Sequence, residues 1–548
     1  MFGDDCTYTR HGKTYRRVLL RNSYRVDGIV RHDTLANLSQ CADEEIEAIK
    51  FGLRHKGQLA KLAERSQTVC LAPGLAVGAV WVLFQLAQSL GLVKALGKGR
   101  QGLLCLWLVF ATVIAQGSRL SAVRLAESHA ACDVLKLNPF NEDHLYQAMD
   151  WLADQQAAIE EALYRQRASQ LAESLYLYDV TSSYLEGEHN ELGAYGYNRD
   201  GKKGKKQIVV GCLTDAQGRP VSIEVFAGNT QDPKTFKSQV DKLRERFGMR
   251  HVTLVGDRGM IKSAQIEDLT GVGFHYITAI TKPQIQALIK QGVFQHDLFD
   301  EQVMEIEQAG VRYVLRRNPV RAKELAEGRE EKWHALKRFV DEQNRYLAEH
   351  PKAKPQTAWK KVTAKAGKLK VDAWVVLEQP ERAITTPLDE EKKQTLARLD
   401  GCYVIKSDLP QTAADKQPVH DRYKDLTQVE HAFRTMKTTL LEMRGVYVRK
   451  TNRTRAHIFI IMLAYLLAYE LQQRWRDLNV TVEEGIQELA SICTVELTLV
   501  GQARCQVIPD PRPLGQQLLE CLNITLPDAI PHRGITVATR KDLTARRK

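Results

Sequence analysis

Between residues 171 and 281, short apolar, β-branched runs alternate with helical stretches in an order that few folds can accommodate. LYLYDVTSSYL has the composition of a buried strand, and QIVVGCLTDAQGRPVSIEVFAGN reads as two strands turned at residues 215–218. NTQDPKTFKSQVDKLRERFG is a helix closed by Gly248, HVTLVGDRG a short buried strand, SAQIEDLTGVG a helix and FHYITAI a further strand. Three antiparallel strands are thus extended by parallel strands through helical crossovers, which is an α/β layer arrangement.

The rest of the 548 residues falls around that core, and 44% hydrophobic composition is enough to bury several cores. Residues 1–42 read as a small β-rich module, in which HGKTYRRVLLRNSYRVDG sets arginines around a His11-Gly12 turn. Residues 43–170 read as helical and are expected to bind DNA. There, LWLVFATVIAQGSRLSAVRLAES passes from an apolar run into Ser118, Arg119, Ser121 and Arg124, residues suited to a phosphate backbone or to an ordinary helix surface. The core resumes over 406–475 after an inserted α+β subdomain at 282–405. In that insertion VMEIEQAGVRYVLRRNP is a hairpin around Ala309-Gly310, REEKWHALKRFVDEQNRYLAEH a charged helix, and AKPQTAWKKVTAKAGKLKVDAWVVLEQ strand-like. Residues 476–548 form a C-terminal region ending in the basic tail VATRKDLTARRK.

Lys and Arg number 78 against 66 acids, a formal net charge of +12, which points to a polyanionic partner. The ten cysteines stand singly without metal-ligand spacing and suit a reducing compartment. The apolar runs at 103–115 and 458–469 are shorter than the roughly 20 residues a bilayer requires. Buried helices in a cytoplasmic protein, with no membrane partner, are therefore expected.

Chemistry is concentrated in three places. Asp179 ends the first strand, LYLYD, and Asp257 ends the strand VTLVGD; an ionised carboxylate beside buried strands is costly unless something cationic or several donors satisfy it. The third is YKDLTQVEHAFRTMK, residues 423–437, which reads as one helix with Leu426, Val429 and Phe433 on an apolar stripe. Tyr423, Glu430 and Lys437 fall within about 40° of one another around its axis, with Arg434 beside them. An exposed Glu430–Arg434 pair explains part of this face; the two upstream aspartates favour a joint site. Three carboxylates about 4 Å apart repel by on the order of 4 kcal/mol per pair, so divalent metal would be needed to hold them together. Oxygen ligands alone favour Mg²⁺ or Mn²⁺, and phosphoryl transfer suits two such ions.

The strand order resembles the ribonuclease H-like fold, and the motifs resemble the DDE transposases of bacterial insertion sequences. The matching stretches are YDVTSSYLEG, IEVFAGNTQD, VGDRG, YKDLTQVEHAFRTMK and VYVRKTNRTRAHIFI, over roughly residues 170–470. The branch is the one marked by Tyr-x2-Arg-x3-Glu-x6-Lys. The resemblance implies that Asp179, Asp257 and Glu430 are catalytic and bind the metals, and that Tyr423 and Lys437 contact DNA phosphate. It also implies a β-rich character for the inserted segment. The signature arginine falls on Leu426, so its contact is absent or passes to Arg422 or Arg434.

Further cations expected on DNA are Arg258, Lys202, Lys203, Lys205 and Lys206 of the loop NRDGKKGKKQ, and Arg449, Lys450 and Arg453 in the basic turn that also holds Arg444 and Arg455. Expected partners are the terminal inverted repeats of an element and a target duplex, held by a homodimer near the bacterial nucleoid. A ribonuclease H-like nuclease or resolvase without strand transfer, and a non-catalytic DNA-binding regulator, are the alternatives.

Overall fold

The computed structural model describes residues 1–10, 13–26, 29–54, 69–167, 175–438, 440–443, 446–499, 504–535 and 537. His11-Gly12, Arg444 and nearly all of the basic tail lie outside the described residues. The chain opens with β1 (Phe2–Arg10), β2 (Lys13–Val26) and β3 (Ile29–Asn37), an antiparallel sheet in that order, followed by α1 (Asp43–Arg54).

Residues 43–170 are not wholly helical. β4 (Val69–Ala76) pairs with a strand more than 400 residues away, as given below, and only then do helices take over. These are α2 (Gly78–Ser89), α3 (Leu92–Leu96), α4 (Arg100–Ile114), α5 (Arg119–Ser128), α6 (Ala131–Val134) and α7 (Glu142–Arg167). The run read as one segment over 106–128 is broken between α4 and α5, whose axes bend by 86°. Gly117 lies in the break, and the Ser118 hydroxyl caps α5 by accepting from the Ser121 N–H.

The large sheet begins with β5 (Leu175–Tyr184), β6 (Gln207–Asp215) and β7 (Pro220–Ala227). It continues through α8 (Asp232–Asp241), β8 (Thr253–Gly256), α9 (Ser263–Gly271), β9 (His275–Ala279) and α10 (Lys282–Lys290). Then come β10 (Met304–Gln308), β11 (Val311–Arg317), α11 (Pro319–Glu349), α12 (Pro355–Leu369), α13 (Glu390–Ala397) and β12 (Cys402–Ser407). Its eight strands lie in the order β10-β11-β12-β9-β8-β5-β6-β7. β5, β8 and β9 are parallel, while β6, β7 and the β12-β11-β10 group run antiparallel to their neighbours.

The inserted segment thus contributes to the main sheet. Its hairpin turns at Ala309 and Gly310, both at positive φ (52° and 75°), as a two-residue turn between twisted strands requires. Its remainder is mostly helical rather than β-rich. The stretch read as strand-like is α12, because Ala358, Val362 and Ala366 recur every fourth residue and are the positions it buries. Two isolated bridges, Val375↔Leu388 and Glu378↔Thr385, are the β structure that follows it.

Beyond β12 run α14 (Lys416–Lys424), α15 (Leu426–Lys437), α16 (Thr451–Trp475), α17 (Val482–Ala490), β13 (Cys493–Leu499), β14 (Arg504–Val507) and α18 (Pro513–Leu522). The segment read as a single helix from 423 is divided at Asp425, between α14 and α15. β14, β13 and β4 form the third sheet.

Side chains alternate across the large sheet with period two. Leu175 and Leu177 join the core of α15 and α16, where Val429, Phe433 and Ile461 lie, whereas Tyr176, Tyr178 and Val180 join that of α8 and α9, with Phe236, Val240 and Leu269. Both faces being covered at the sheet's centre, β6 and β8 are buried at every position. α16 is long and apolar enough to cross a membrane, but 83% of its most apolar stretch is buried in the protein, and it serves as the axis of the core.

One buried carboxylate ties the helical region to the sheet. Glu160 on α7, with no exposed surface, accepts from Gln156 Nε2, Ser222 Oγ, the Ile223 N–H and Arg246 Nη1. Replacing it with alanine removes a buried anion from beneath Arg246 and strands several donors. Glu160→Ala is expected to destabilise the fold by about 3 kcal/mol or more, seen as a lower thermal midpoint; an unchanged midpoint would contradict this role.

Candidate active site

Register brings the two aspartates together. In the parallel pair β5 and β8, Tyr178 lies opposite Gly256, so Asp179 on β5 and Asp257, just past the end of β8, are the next residues along. Asp179 does not end its strand. β5 continues five residues past it to Tyr184, paired with β6, and Asp179 marks the point where β8 stops. Its odd parity directs it to the face on which α15 packs.

α15 is seated by Leu426, Val429, Ala432, Phe433 and Met436, leaving Glu430 exposed beside that edge. Asp257 is exposed, its Oδ1 accepting from the Arg258 N–H at 2.7 Å and its carbonyl from the Met260 N–H at 2.9 Å. Tyr423, at the end of α14, donates through Oη to Asp257 Oδ1 at 3.4 Å. Burial first, and the neighbouring Asp257 second, raise the Tyr423 phenol above its ordinary value.

Asp179 carries a strongly perturbed carboxylate. Burial, followed by the charges of Glu430 and Asp257, pushes it up to about 7, against the opposing effects of the Val180 N–H and Arg199. Arg199 gives little relief, since its Nη2 bonds both carboxylate oxygens of Asp232 at 2.6 Å. Asp257 and Glu430 therefore both act on Asp179 electrostatically. Among the described residues, however, no three His, Cys, Asp or Glu side chains close into a metal cage. The donor set itself, three carboxylates, fits a hard divalent cation.

The expected DNA-contacting cations divide into two kinds. Lys202, Lys203 and Lys205 are exposed on their loop, as are Arg258, Arg434, Arg449 and Lys450. Lys202 lies over the Tyr184 ring at 5.7 Å, and Lys205 pairs with Glu186 at 2.8 Å. The loop and the basic turn flank the same segment, for the Glu186 N–H donates to Val446 O and the Glu191 N–H to Arg449 O.

Other cations are committed inside the protein. Arg453 holds both oxygens of Asp150 at 2.9 and 2.8 Å and stacks 4.8 Å from the Tyr146 ring centroid. Lys437 bonds Ser182 O and Asp200, and Lys206 Nζ lies 3.4 Å from Glu188 O. Arg422 is half-buried. Leu426, 9% exposed, sits in the core and offers no polar contact.

Sequence reasoning missed the supports. Buried His420 bonds Tyr403 Oη through Nε2 at 2.6 Å and Asp421 Oδ1 through Nδ1 at 2.9 Å, fixing α14 against the sheet one turn before Tyr423. Its one local signal was a histidine three residues ahead of a tyrosine on the same helix.

The family model described as the transposase DDE domain matches residues 171–467, and the model described as the IS1634 family transposase N-terminal domain matches residues 6–67. No curated protein matches the chain. Among solved structures, a cryo-EM structure of the piggyBac transposase synaptic complex with hairpin DNA is similar with a TM-score of 0.34 and 10% identity, over 75% of each chain.

The raised Asp179 has a defined consequence for stability. Folding favours its protonated form, so its contribution is most favourable at low pH and is lost as pH rises from the ordinary value of 3.8 through about 7. In metal-free protein, the melting temperature of Asp179→Asn should gain on that of wild type from about pH 5 to about pH 8. Parallel curves would contradict the shift.

Proposed function

The chain belongs to the DDE transposases of bacterial insertion sequences, and on that premise we propose that Asp179, Asp257 and Glu430 are its catalytic carboxylates. As a DNA transposase it catalyses metal-dependent DNA cleavage and strand transfer. The observation that supports these three residues is the β5–β8 register, which aligns two aspartates beneath the helix bearing the glutamate. The strand order β7-β6-β5-β8-β9, three antiparallel strands followed by two parallel ones, supports a ribonuclease H-like core.

In this reading the carboxylates hold Mg²⁺ or Mn²⁺, two ions in all. The bound ions would supply activation of the attacking oxygen and stabilisation of the leaving one. The chain's own contribution is placement. The exposed Lys202, Lys203, Lys205, Arg258, Arg434, Arg449 and Lys450 line up the backbone, and Tyr423 orients Asp257. In cleavage a water oxygen bonds to phosphorus as the P–O3′ bond breaks, freeing a 3′-hydroxyl. In joining, that hydroxyl attacks a target phosphorus and displaces the target's own 3′-oxygen. Two element ends would be held by a homodimer.

The test is an end-cleavage and joining assay on a labelled terminal inverted repeat with Mg²⁺. Asp179→Ala, Asp257→Ala and Glu430→Ala should each lower cleavage at least about a hundredfold while metal-free DNA binding persists. Near-normal cleavage by any one of them would reject the triad.

A further inference from the structure

We propose that the lysine face of α12, centred on Lys361, Lys365 and Lys368, docks the duplex DNA flanking the element and grips its phosphates whatever its sequence; the direction given to that DNA rests on the triad proposed above. Residues 350–371 hold seven lysines and no acid, in a chain with 66 acids to 78 lysines and arginines. At about 100° per residue, Lys361, Lys365 and Lys368 fall within about 60° of one another, and Lys354 precedes them at the helix N-cap. The row from Lys354 to Lys368 is about 20 Å long. Lys354, Lys361 and Lys368 are exposed, and half-buried Lys365 lies over the Phe339 ring at 5.6 Å, which steadies it.

This charge is not neutralised from within the insertion. Ion pairs there tie Arg329 to Asp400 and Lys393 to Glu330, but among the described residues no lysine of 350–371 enters one. Like charges three and four residues apart weaken a helix, so the row is held against its own repulsion by the opposite side of α12. That side is Ala358, Val362 and Ala366, packed on Leu336, Val340 and Leu347 of α11 in a core separate from those of the sheet. The result is a fixed line of positive charge on a helical hairpin, and a polyanion relieves it.

Topology launches this hairpin from the edge of the sheet that bears the aspartates. Asp257 follows β8, and β9 runs parallel to β8 and ends at Ala279 on the same edge. β12 lies antiparallel to β9 with Ile405 opposite Ala279, and Arg317 lies opposite Cys402. The insertion therefore leaves and re-enters the sheet three residues beyond that edge. Leu336 and Leu347, on which α12 packs, lie about 25 and 42 Å along α11 from its start, a reach of at most about twelve base pairs.

The lysine loop, by contrast, joins β5 to β6, and α7 is held against β7, the opposite end of the sheet from β10. A duplex passing the carboxylates has the loop on one side and α12 on the other. Ammonium groups on phosphates fix a duplex without reading its bases. A sequence-blind surface suits the side whose sequence changes with every insertion site, which is the flank and not the terminal repeat.

The experiment measures metal-free binding of the full chain to three labelled duplexes: a terminal repeat alone, and the same repeat continued by about 20 base pairs of either of two unrelated flanks. Wild type should bind both flanked duplexes about tenfold more tightly than the bare repeat at low salt. Lys361→Gln, Lys365→Gln and Lys368→Gln together should abolish that gain and lower the salt slope on flanked DNA by about two to three, with the bare repeat bound within about twofold of wild type. Lys361→Arg, Lys365→Arg and Lys368→Arg keep the charge and should retain the gain. Should the glutamine triple lower the thermal midpoint, Lys354→Gln, Lys361→Gln and Lys368→Gln, all at exposed positions, decide in its place.

A solvated face, or one that receives a protein, predicts unchanged binding of all three duplexes. A contact with the element itself predicts equal weakening on the bare repeat. Either result overturns the inference, as does a wild type that gains nothing from a flank or gains from only one of the two. Failure of the triad shows separately, as normal cleavage by Asp179→Ala.

Discussion

Everything at this site follows from a carboxylate held where it is poorly solvated and surrounded by its own kind. Asp179 sits where β8 stops, beside Asp257 by register and beneath Glu430 by the packing of α15, and its proton is retained to about 7. Such an arrangement destabilises the apo protein. It is tolerated because the sheet around it is buried on both faces, with β6 fully enclosed and α16 running through the core.

The scaffold fixes direction as well as distance. Period-two alternation sends Asp179 to the α15 face, and the apolar stripe of α15 sets which of its residues is left beside it. Both depend on buried apolar side chains, so the position of the acidic group is set by packing and not by its own interactions. The polar supports act one layer out. His420 and Tyr403 brace α14, Asp200 and Lys437 brace α15, and Glu160 holds α7 against β7.

Much of this was legible in the residues, for physical reasons. Strands covered on both faces are largely apolar, so β5 to β9 stood out as runs separated by helical periodicity. The polar tail of β5, Thr181 to Tyr184, hid its true length: Thr181, Ser182 and Ser183 are buried by tertiary contact, which local pattern does not carry. β4 was missed because its partner β13 lies more than 400 residues away. α12 was misread because Val362, Thr363 and Trp359 favour strands, while their burial follows a four-residue period. For Lys437, sequence could place the ammonium on the correct helix face but not reveal Asp200 as the group that receives it.

The central claim is that Asp179, Asp257 and Glu430 close around divalent metal when the protein holds its DNA. Anomalous diffraction from crystals of the complex with a terminal-repeat duplex and Mn²⁺ tests it most directly. The account predicts manganese peaks ligated by oxygens from all three residues. Manganese bound to DNA and other side chains, with these three carboxylates apart, would contradict it.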